Sequence, residues 1–306
     1  MNNFMENIFS RAQKLHRTII IPESNDPRIK EAATTLHHRQ ICNVILLEEH
    51  EKYHDISFKN TLAHQLYLLR QHKNLTEEEA KKLINDPFYF GVMMVKLGYA
   101  DGMVGGANSP TPRLLRPTLQ ILKSPTGKLV SGFFIITAPQ ETFIFADCAI
   151  NPEPTPSLLT QIASDSVKSY QKLIGSSPRV AFLSYSTAGS SQGPLVDKIK
   201  TAATQFKQLY PDIISDGEIQ VDAAISPEVA ARKCPQSRLQ GRANILIFPD
   251  LNSGNIGYKL AHIFGNNIAI GPLIQGLEKP VNDLSRSCTT EEIALNAAIT
   301  AIQSSE

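Results

Sequence analysis

The stretch from 280 to 288, near the C-terminus, contains the side chains best suited to chemistry. It brings together amide, carboxylate, hydroxyl, guanidinium and thiol groups, at Asn282, Asp283, Ser285, Arg286 and Cys288. A guanidinium beside a hydroxyl has little packing value, because both groups prefer polar surroundings. A guanidinium can instead hold an anion, and a hydroxyl can donate a hydrogen bond to developing negative charge. We therefore predict that this stretch forms the floor of an active site.

A serine-hydrolase mechanism is not supported for this stretch. The histidine nearest to Ser285 in the sequence is His262, which belongs to a separate predicted helix, and no Gly-x-Ser-x-Gly motif surrounds Ser285. Cys288 could act as a nucleophile, but a cysteine without a visible activating base is more often a packed residue. Ser285 is thus better suited to donate a hydrogen bond than to attack a carbonyl.

Other polar loops follow predicted strands, at 105–109, 184–193 and 249–255. Ligands of α/β sheets bind at the carboxyl ends of the strands. The loop 184–193 is rich in serine and glycine and leads into a helix, which suits a phosphate, although an ordinary polar turn fits equally well. It contains neither a Walker A motif nor the dinucleotide-binding glycine pattern. The candidate substrate contacts outside the catalytic stretch are Ser109, Ser186, Thr187 and Asn255; within it they are Asn282 and Cys288.

Arg116 lies in an apolar context, between Leu115 and Pro117. A guanidinium there could bind a phosphate through two hydrogen bonds. The alternative is a surface arginine or a structural ion pair, which is the more common role for a single arginine.

The composition narrows the class of protein. The chain has 306 residues, of which 42% are hydrophobic, and a formal net charge of +1. This length and hydrophobic content are enough for two domains or one large α/β domain. The balanced charge argues against nucleic acid or a membrane surface as a partner. The four cysteines are scattered without metal-site spacing, and no apolar stretch is long enough for a signal peptide or a membrane span. We predict a cytoplasmic protein with free thiols.

Predicted strands and helices alternate along nearly the whole chain, which indicates an α/β fold with mainly parallel sheets covered by helices. The strands are predicted at 18–21, 43–47, 100–104, 180–183, 219–221, 245–248 and 268–270, with a hairpin at 130–137 and 142–145. Helices are predicted to begin at the Asp-Pro steps of Pro27 and Pro87, at a capping box after Thr76, and at Pro156. The proline-dense segment 151–156 is the best candidate for a domain boundary.

Several of these segments resemble one known family. They are 101–104, 115–117, 121–123, 145–151, 183–187, 216–224, 244–258 and 271–288, and they follow one another in family order and spacing. The chain is identified on these motifs as a member of the phosphate acetyltransferase (phosphotransacetylase) family. The first hundred residues match mainly at 21–23.

The resemblance implies transfer of an acetyl group between coenzyme A and phosphate, by direct attack of the coenzyme A thiolate on acetyl phosphate or by the reverse reaction. It implies two α/β domains with the active-site cleft between them, a homodimer, and no tightly bound cofactor. We predict that residues 1–150 and 285–306 form the first domain and that residues 151–284 form the second.

The family's residue roles transfer to matching positions. The resemblance makes Ser285 the hydrogen-bond donor to the transition state, Arg286 a phosphate ligand or an orienter of the base, and Arg116 a second phosphate contact. Glu292 stands where the family usually has an aspartate as general base. Ser287 and Ala188 stand where glycine and lysine are usual.

Three alternatives remain open at this point. The acyl group could be butyryl or another short chain. The protein could be a non-catalytic relative that binds coenzyme A or acetyl phosphate. A dehydrogenase of similar architecture is weakened by the absent dinucleotide fingerprint.

Overall fold

The computed structural model describes residues 2–123, 129–139, 141–265 and 267–305. The chain forms two compact units, the first made of Met1–Lys128 with Gly276–Glu306 and the second of Leu129–Gln275. Within the described ranges, no helix has the length and apolar character that a membrane span needs.

The first unit is built on a four-stranded sheet in the order β10-β3-β1-β2, in which every neighbouring pair is parallel. Its strands are β1 (Thr18–Ile21), β2 (Asn43–Leu46), β3 (Gly102–Gly105) and β10 (Val281–Asp283). Its helices are α1 (Asn2–Gln13), α2 (Pro27–His38), α3 (Glu51–His54), α4 (Ile56–Arg70), α5 (Glu77–Ile84), α6 (Pro87–Lys96), α7 (Thr111–Ile121) and α13 (Thr290–Gln303). The C-terminal segment therefore completes the N-terminal sheet and covers it with α13, which packs against α1 and α2.

The second unit is built on a six-stranded sheet in the order β7-β6-β8-β5-β4-β9. Its strands are β4 (Ser131–Thr137), β5 (Thr142–Ala146), β6 (Arg179–Leu183), β7 (Ile214–Ile219), β8 (Ile245–Ile247) and β9 (Ile268–Gln275). Its helices are α8 (Pro156–Leu173), α9 (Pro194–Leu209), α10 (Val221–Ile225), α11 (Pro227–Lys233) and α12 (Leu251–Gly265). β4 runs antiparallel to β5 and β9, and the other pairs are parallel. The predicted α/β fold with mainly parallel sheets is confirmed.

The predicted helix starts are also present. Asp26 accepts a hydrogen bond from the Arg28 backbone at the start of α2, with Pro27 in the first turn. Thr76 forms the predicted capping box with Glu79 at the start of α5. These starts could be predicted because each depends on a few adjacent residues whose side chains satisfy otherwise unpaired backbone N–H groups.

The unit boundaries differ from the predicted domain boundaries at 150 and 284. The β4–β5 hairpin pairs with β9 and β8, so the segment 129–150 belongs to the second unit. β10 pairs with β3, so the segment 276–284 belongs to the first. The proline-dense segment 151–156 joins β5 to α8 inside one unit. Strand pairing over long sequence distances, which proline content does not report, determines these boundaries.

The strand predicted at 219–221 ends earlier. β7 finishes at Ile219, and Val221 begins the short helix α10. The β-branched residues Ile219 and Val221 favour a strand locally, but the backbone turns away from the sheet between them.

Candidate active site

The predicted catalytic stretch lies at the carboxyl edge of the first sheet. β1, β3 and β10 are parallel, so the loops that follow them, 22–26, 106–110 and 284–289, emerge at the same edge. The stretch from 280 to 288 thus consists of a buried strand, β10, and the exposed turn after it.

Glu23 fixes the loop after β3. Its carboxylate accepts backbone N–H groups from Gly106 at 2.6 Å, Ala107 at 2.9 Å and Asn108 at 2.9 Å. Gly106 has a φ of +105°, and a Cβ at this position would lie 2.2 Å from Asp283 Oδ1. Glycine is therefore required here both by the backbone conformation and by the close approach of β10.

Arg28 joins the loop after β3 to the turn after β10. One guanidinium nitrogen donates to the backbone carbonyls of Arg286 at 3.0 Å and Cys288 at 2.8 Å, and the other donates to Ala107 O at 3.0 Å. Asp26 binds the same guanidinium at 2.6 Å, and this hydrogen bond lowers the pKa of the Asp26 carboxyl. The turn that carries Ser285 and Arg286 is consequently held through its backbone, with a fixed charged residue beneath it.

The side chains of Ser285 and Arg286 are exposed above this support. Ser285 Oγ lies 2.8 Å from Ser287 Oγ and accepts the Ser287 backbone N–H at 3.3 Å. The guanidinium of Arg286 makes no hydrogen bond or ion pair with any residue that the structure describes. A fixed backbone with available polar side chains is the arrangement that a binding site for an anion requires.

Arg116 resembles Arg286 in having a guanidinium that is available to a ligand. It is exposed on α7, and its guanidinium has no hydrogen-bond or ion-pair partner within the described ranges. Its charge acts on Tyr89, whose pKa is raised by burial and partly lowered again by Arg116. Other arginines of this unit are already paired with carboxylates: Arg17 with Asp101, Arg28 with Asp26, Arg39 with Glu6 and Arg113 with Asp86.

Glu292 lies in the first turn of the helix that follows, α13. Its Oε2 accepts the Thr289 backbone N–H at 2.8 Å, and Thr289 Oγ1 accepts the Glu292 N–H at 3.2 Å. This is a capping box at the start of α13. The carboxylate is partly exposed, and one of its oxygens is engaged by the cap among the described contacts.

Asn282, Cys288 and Ser109, which are predicted to contact substrate, are buried. Asn282 Nδ2 donates to Thr300 Oγ1 at 2.8 Å and Gln303 Oε1 at 2.6 Å, which ties β10 to α13. Burial raises the pKa of Cys288 to about 11, so its thiol stays protonated at neutral pH. Ser109 Oγ accepts from Arg113 at 3.5 Å.

The remaining predicted contacts belong to the second unit and are satisfied there. Ser186 Oγ donates to Glu218 Oε1 at 3.0 Å, and Thr187 Oγ1 donates to Gln220 Oε1 at 3.2 Å; both residues are buried. Asn255 Nδ2 donates to the Cys148 backbone carbonyl at 3.2 Å. Their polar groups stabilise the loops that contain them.

Sequence reasoning missed Glu23, Arg28 and Thr111 as parts of this edge, and it gave Asp283 no role. Thr111 Oγ1 donates to Asp283 Oδ2 at 2.6 Å. The signal that could have revealed Glu23 is its position in the loop directly after β1, because the loops after parallel strands converge. Arg28 lies in the first turn of α2, the helix that follows this loop. In the part of the chain that the structure describes, no group of three or more His, Cys, Asp or Glu residues is placed to hold a metal ion.

The chain matches known proteins over almost its whole length. The sequence pattern of the family described as Phosphate acetyl/butaryl transferase matches residues 3–301. A phosphate acetyltransferase of Acetivibrio thermocellus is 44% identical, and the match covers 98% of each chain. A phosphotransacetylase structure from Streptococcus pyogenes has a TM-score of 0.89 at 38% identity and covers 99% of this chain and 98% of that one.

An EutD phosphotransacetylase from Staphylococcus aureus is similarly related, with a TM-score of 0.87 at 37% identity over 99% of this chain and 98% of that one. The held turn with Arg286 at the edge of the first sheet and the exposed Arg116 on α7 are thus found in a chain that matches these enzymes almost from end to end. The chain belongs to the phosphate acetyl/butaryl transferase family.

Proposed function

We propose that Ser285, Arg286 and Arg116 perform the acetyl transfer at the carboxyl edge of the first sheet. The chain is a phosphate acetyltransferase, which converts acetyl-CoA and phosphate into acetyl phosphate and coenzyme A. The observation that carries the site assignment is the pair of exposed guanidiniums, Arg116 and Arg286, which have no carboxylate partner among the described residues. Both substrates are anionic and the chain has almost no net charge, so local cations must bind them.

The proposed reaction needs no acyl-enzyme. In the direction of acetyl-CoA synthesis, the thiol of coenzyme A loses its proton to Glu292 and the thiolate attacks the carbonyl carbon of acetyl phosphate. The new bond is C–S, the broken bond is the carbonyl carbon to phosphate oxygen bond, and phosphate leaves with that bonding pair. Ser285 donates to the carbonyl oxygen as negative charge develops there, and the arginines hold the phosphate.

Glu292 is proposed as the base because its carboxylate lies beside the catalytic turn and is held there by the helix cap. A carboxylate at this place can accept the thiol proton. The capping box also restricts the rotation of the carboxylate, which favours a defined position for proton transfer.

We propose that the enzyme works without a tightly bound cofactor, because each step is assigned to the side chains and the two substrates. Dialysis against a chelator should leave the rate of phosphate-dependent acetyl transfer unchanged. Loss of the rate, with recovery on adding back one metal ion, would contradict this part of the proposal.

We propose further that two copies of the chain associate through α12. Its large apolar side chains Ile256, Leu260, Ile263 and Phe264 are from 49% to 82% exposed, and Gly254 is the buried residue of this helix. An apolar face of this size is typical of a protein interface. Light scattering should give the mass of a dimer, and Phe264→Asp should give a monomer. Leu195→Asp, at an exposed leucine on α9, is the matched control and should remain dimeric.

A cytoplasmic location is the remaining proposal. The four cysteines, Cys42, Cys148, Cys234 and Cys288, are free and buried, which is typical of a reducing compartment. Detection of the protein in separated cell fractions should find it together with soluble cytoplasmic markers.

The function is tested by phosphate-dependent release of coenzyme A, measured with a thiol reagent. Acetyl-, propionyl- and butyryl-CoA should be compared at equal concentration, and acetyl-CoA should give the highest kcat/KM. A higher value with butyryl-CoA would assign a longer acyl chain to the same site. Binding of coenzyme A with no turnover on any of the three would indicate a non-catalytic relative.

A further inference from the structure

Asp283 is a buried carboxylate that the proposed chemistry does not use. It ends β10, is 1% exposed, and pairs in register with Gly105 of β3. Its Oδ2 accepts a hydrogen bond from Thr111, whereas its Oδ1 is buried without a hydrogen-bond partner. A carboxylate oxygen without a partner in such a place is unfavourable, so its retention needs an explanation.

The bond between Thr111 and Asp283 joins two elements that carry proposed site residues. Thr111 is the first residue of α7, which carries Arg116, and Asp283 directly precedes the turn that carries Ser285 and Arg286. The start of α7 has no side-chain cap, because Pro110 precedes Thr111 and cannot supply one. The Thr111 hydroxyl is directed to β10, and its distance of 2.6 Å is typical of a bond to an ionised carboxylate.

Gly106 brings the loop after β3 against the same carboxylate. The position of Asp283 Oδ1 excludes any side chain at Gly106, and Leu284 N donates to Gly105 O at 2.8 Å. Asp283 thus lies where β10, α7 and the loop after β3 meet.

We propose that Asp283 is a positioning residue for acetyl transfer, which fixes the start of the Arg116 helix relative to the turn of Ser285 and Arg286 through its hydrogen bond to Thr111. The inference rests on the proposed function of those side chains. A small displacement between groups that bind phosphate and groups that stabilise the oxyanion is enough to reduce the rate strongly.

The electrostatics of the site support a functional reason for this carboxylate. Burial raises the pKa of Asp283 to about 6, and the nearby charge of Glu23 acts in the same direction, while the Thr111 bond opposes it. Among the elements packed against Asp283, the loop after β1 contributes the charged residue Glu23, and the Arg28–Asp26 pair lies beside it. The residues of β3 and α7 that face Asp283 are Gly105 and Thr111, which are uncharged. At neutral pH the enzyme therefore keeps a carboxylate ionised at the expense of stability, as is common at functional sites.

The decisive experiment compares Thr111→Val with Thr111→Ser. Valine keeps the branched shape and removes the donor, whereas serine keeps the donor. We expect Thr111→Val to lower kcat about tenfold and Thr111→Ser to stay within about twofold of the unmodified enzyme, at a temperature where circular dichroism shows all variants folded. Equal rates for the two variants, whether both fast or both slow, would overturn the proposal.

Asp283→Leu supplies a second arm, because leucine has a similar shape and no acceptor for the Thr111 hydroxyl. It should lower kcat about tenfold and should remove the acid limb of the kcat profile near pH 6. A kcat and acid limb like those of the unmodified enzyme would contradict the inference.

Ser285→Ala, measured in parallel, separates this inference from the proposed function. If Ser285→Ala is slow but the Thr111 and Asp283 variants are not, the positioning role alone fails. If Ser285→Ala itself keeps the full rate, the assignment of the site fails.

Discussion

The carboxyl edges of the two sheets differ in what their polar residues contact. In the first unit, the loops after β1, β3 and β10 are held by Glu23 and Arg28 through backbone groups, and Ser285, Arg286 and Arg116 remain exposed. In the second unit, the polar loop after β6 is bonded to the end of β7 and the residue after it. The hydroxyls of Ser186 and Thr187 donate to Glu218 and Gln220, and the carboxylate of Glu218 also accepts the Gly189 N–H at 2.7 Å.

The difference separates two meanings of a polar loop at the end of a strand. Hydroxyls that are buried and fully bonded contribute to folding, because their removal leaves buried partners unsatisfied. Side chains that are exposed, charged and without a protein partner are available for a ligand. The loops 184–193 and 280–288 both contain serine hydroxyls, although only the second contains charged side chains, and the hydrogen-bond partners distinguish them further.

A large effect should follow loss of an available guanidinium. Arg286→Gln and Arg116→Gln should each lower kcat/KM for phosphate about 100-fold, since a charge-assisted hydrogen bond contributes about 1.5–3 kcal/mol. Arg39→Gln is the matched control, because this arginine is already paired with Glu6 on the surface, and it should change the rate little. Steady-state kinetics over a range of phosphate concentrations gives these values. Equal effects in all three variants would remove the distinction between paired and available arginines.

Replacement of Glu292 separates its two roles. Glu292→Gln keeps an oxygen that can accept the Thr289 N–H, so the capping box and the stability should be retained. The proton acceptor is lost, so kcat should fall at least about tenfold. Glu291→Gln, at the preceding exposed residue, is the control and should keep the rate. A fully active Glu292→Gln enzyme would show that Glu292 caps the helix and is not the base.

The stability of the first unit should depend on pH through Asp283. Its pKa is about 6 in the folded protein, above the usual value of 3.8. The folded state binds this proton more tightly than the unfolded state, so the contribution of Asp283 is favourable below about pH 4 and is lost as pH rises through 6. Asp283→Asn removes this dependence. The change that it makes in the free energy of unfolding should therefore be more favourable at pH 7.5 than at pH 4, by up to about 3 kcal/mol. Urea denaturation at both pH values measures it, and a parallel shift at both would contradict the ionisation of Asp283.

The smallest effect on turnover should come from the second unit. Ser186→Ala removes a buried donor to Glu218 and leaves the Ser191 N–H, now 3.0 Å from Ser186 Oγ, without its acceptor. The free energy of unfolding should fall by about 1–3 kcal/mol while kcat stays within about twofold. Urea denaturation and the coenzyme A assay check both. A large loss of kcat in a folded variant would show that this loop contributes directly to the reaction.

The sequence was most informative where structure depends on neighbouring residues. The Asp26-Pro27 start, the capping box of Thr76 and the β4–β5 hairpin are confirmed, because capping and turn chemistry act over a few positions. The boundary near 129 and the strand β10 were not predicted, since both depend on pairing between distant strands. The same limit applies to the site.

Within the site, the residues with proposed chemical roles could be predicted from the sequence, whereas the residues that hold them in place could not. Ser285, Arg286 and Arg116 were identified by residue type and by the resemblance, and their roles remain predictions. Arg28, Glu23 and the Thr111–Asp283 bond became visible only in three dimensions, because their partners are far away in the sequence. Asn282 was predicted as a substrate contact from its polar stretch, and this stays a prediction; its amide nitrogen donates to Thr300 of α13, a partner that the sequence does not reveal.

The most direct measurement of the central claim is the kcat of Ser285→Ala for phosphate-dependent acetyl transfer, beside Ser287→Ala. These hydroxyls are 2.8 Å apart in the same exposed turn, so the pair controls for local structure. Loss of a hydrogen-bond donor to an oxyanion lowers kcat about 100- to 1,000-fold, and we predict this for Ser285→Ala, with Ser287→Ala within about fivefold of the unmodified enzyme. A Ser285→Ala enzyme with full kcat would contradict the assignment of this turn as the catalytic centre.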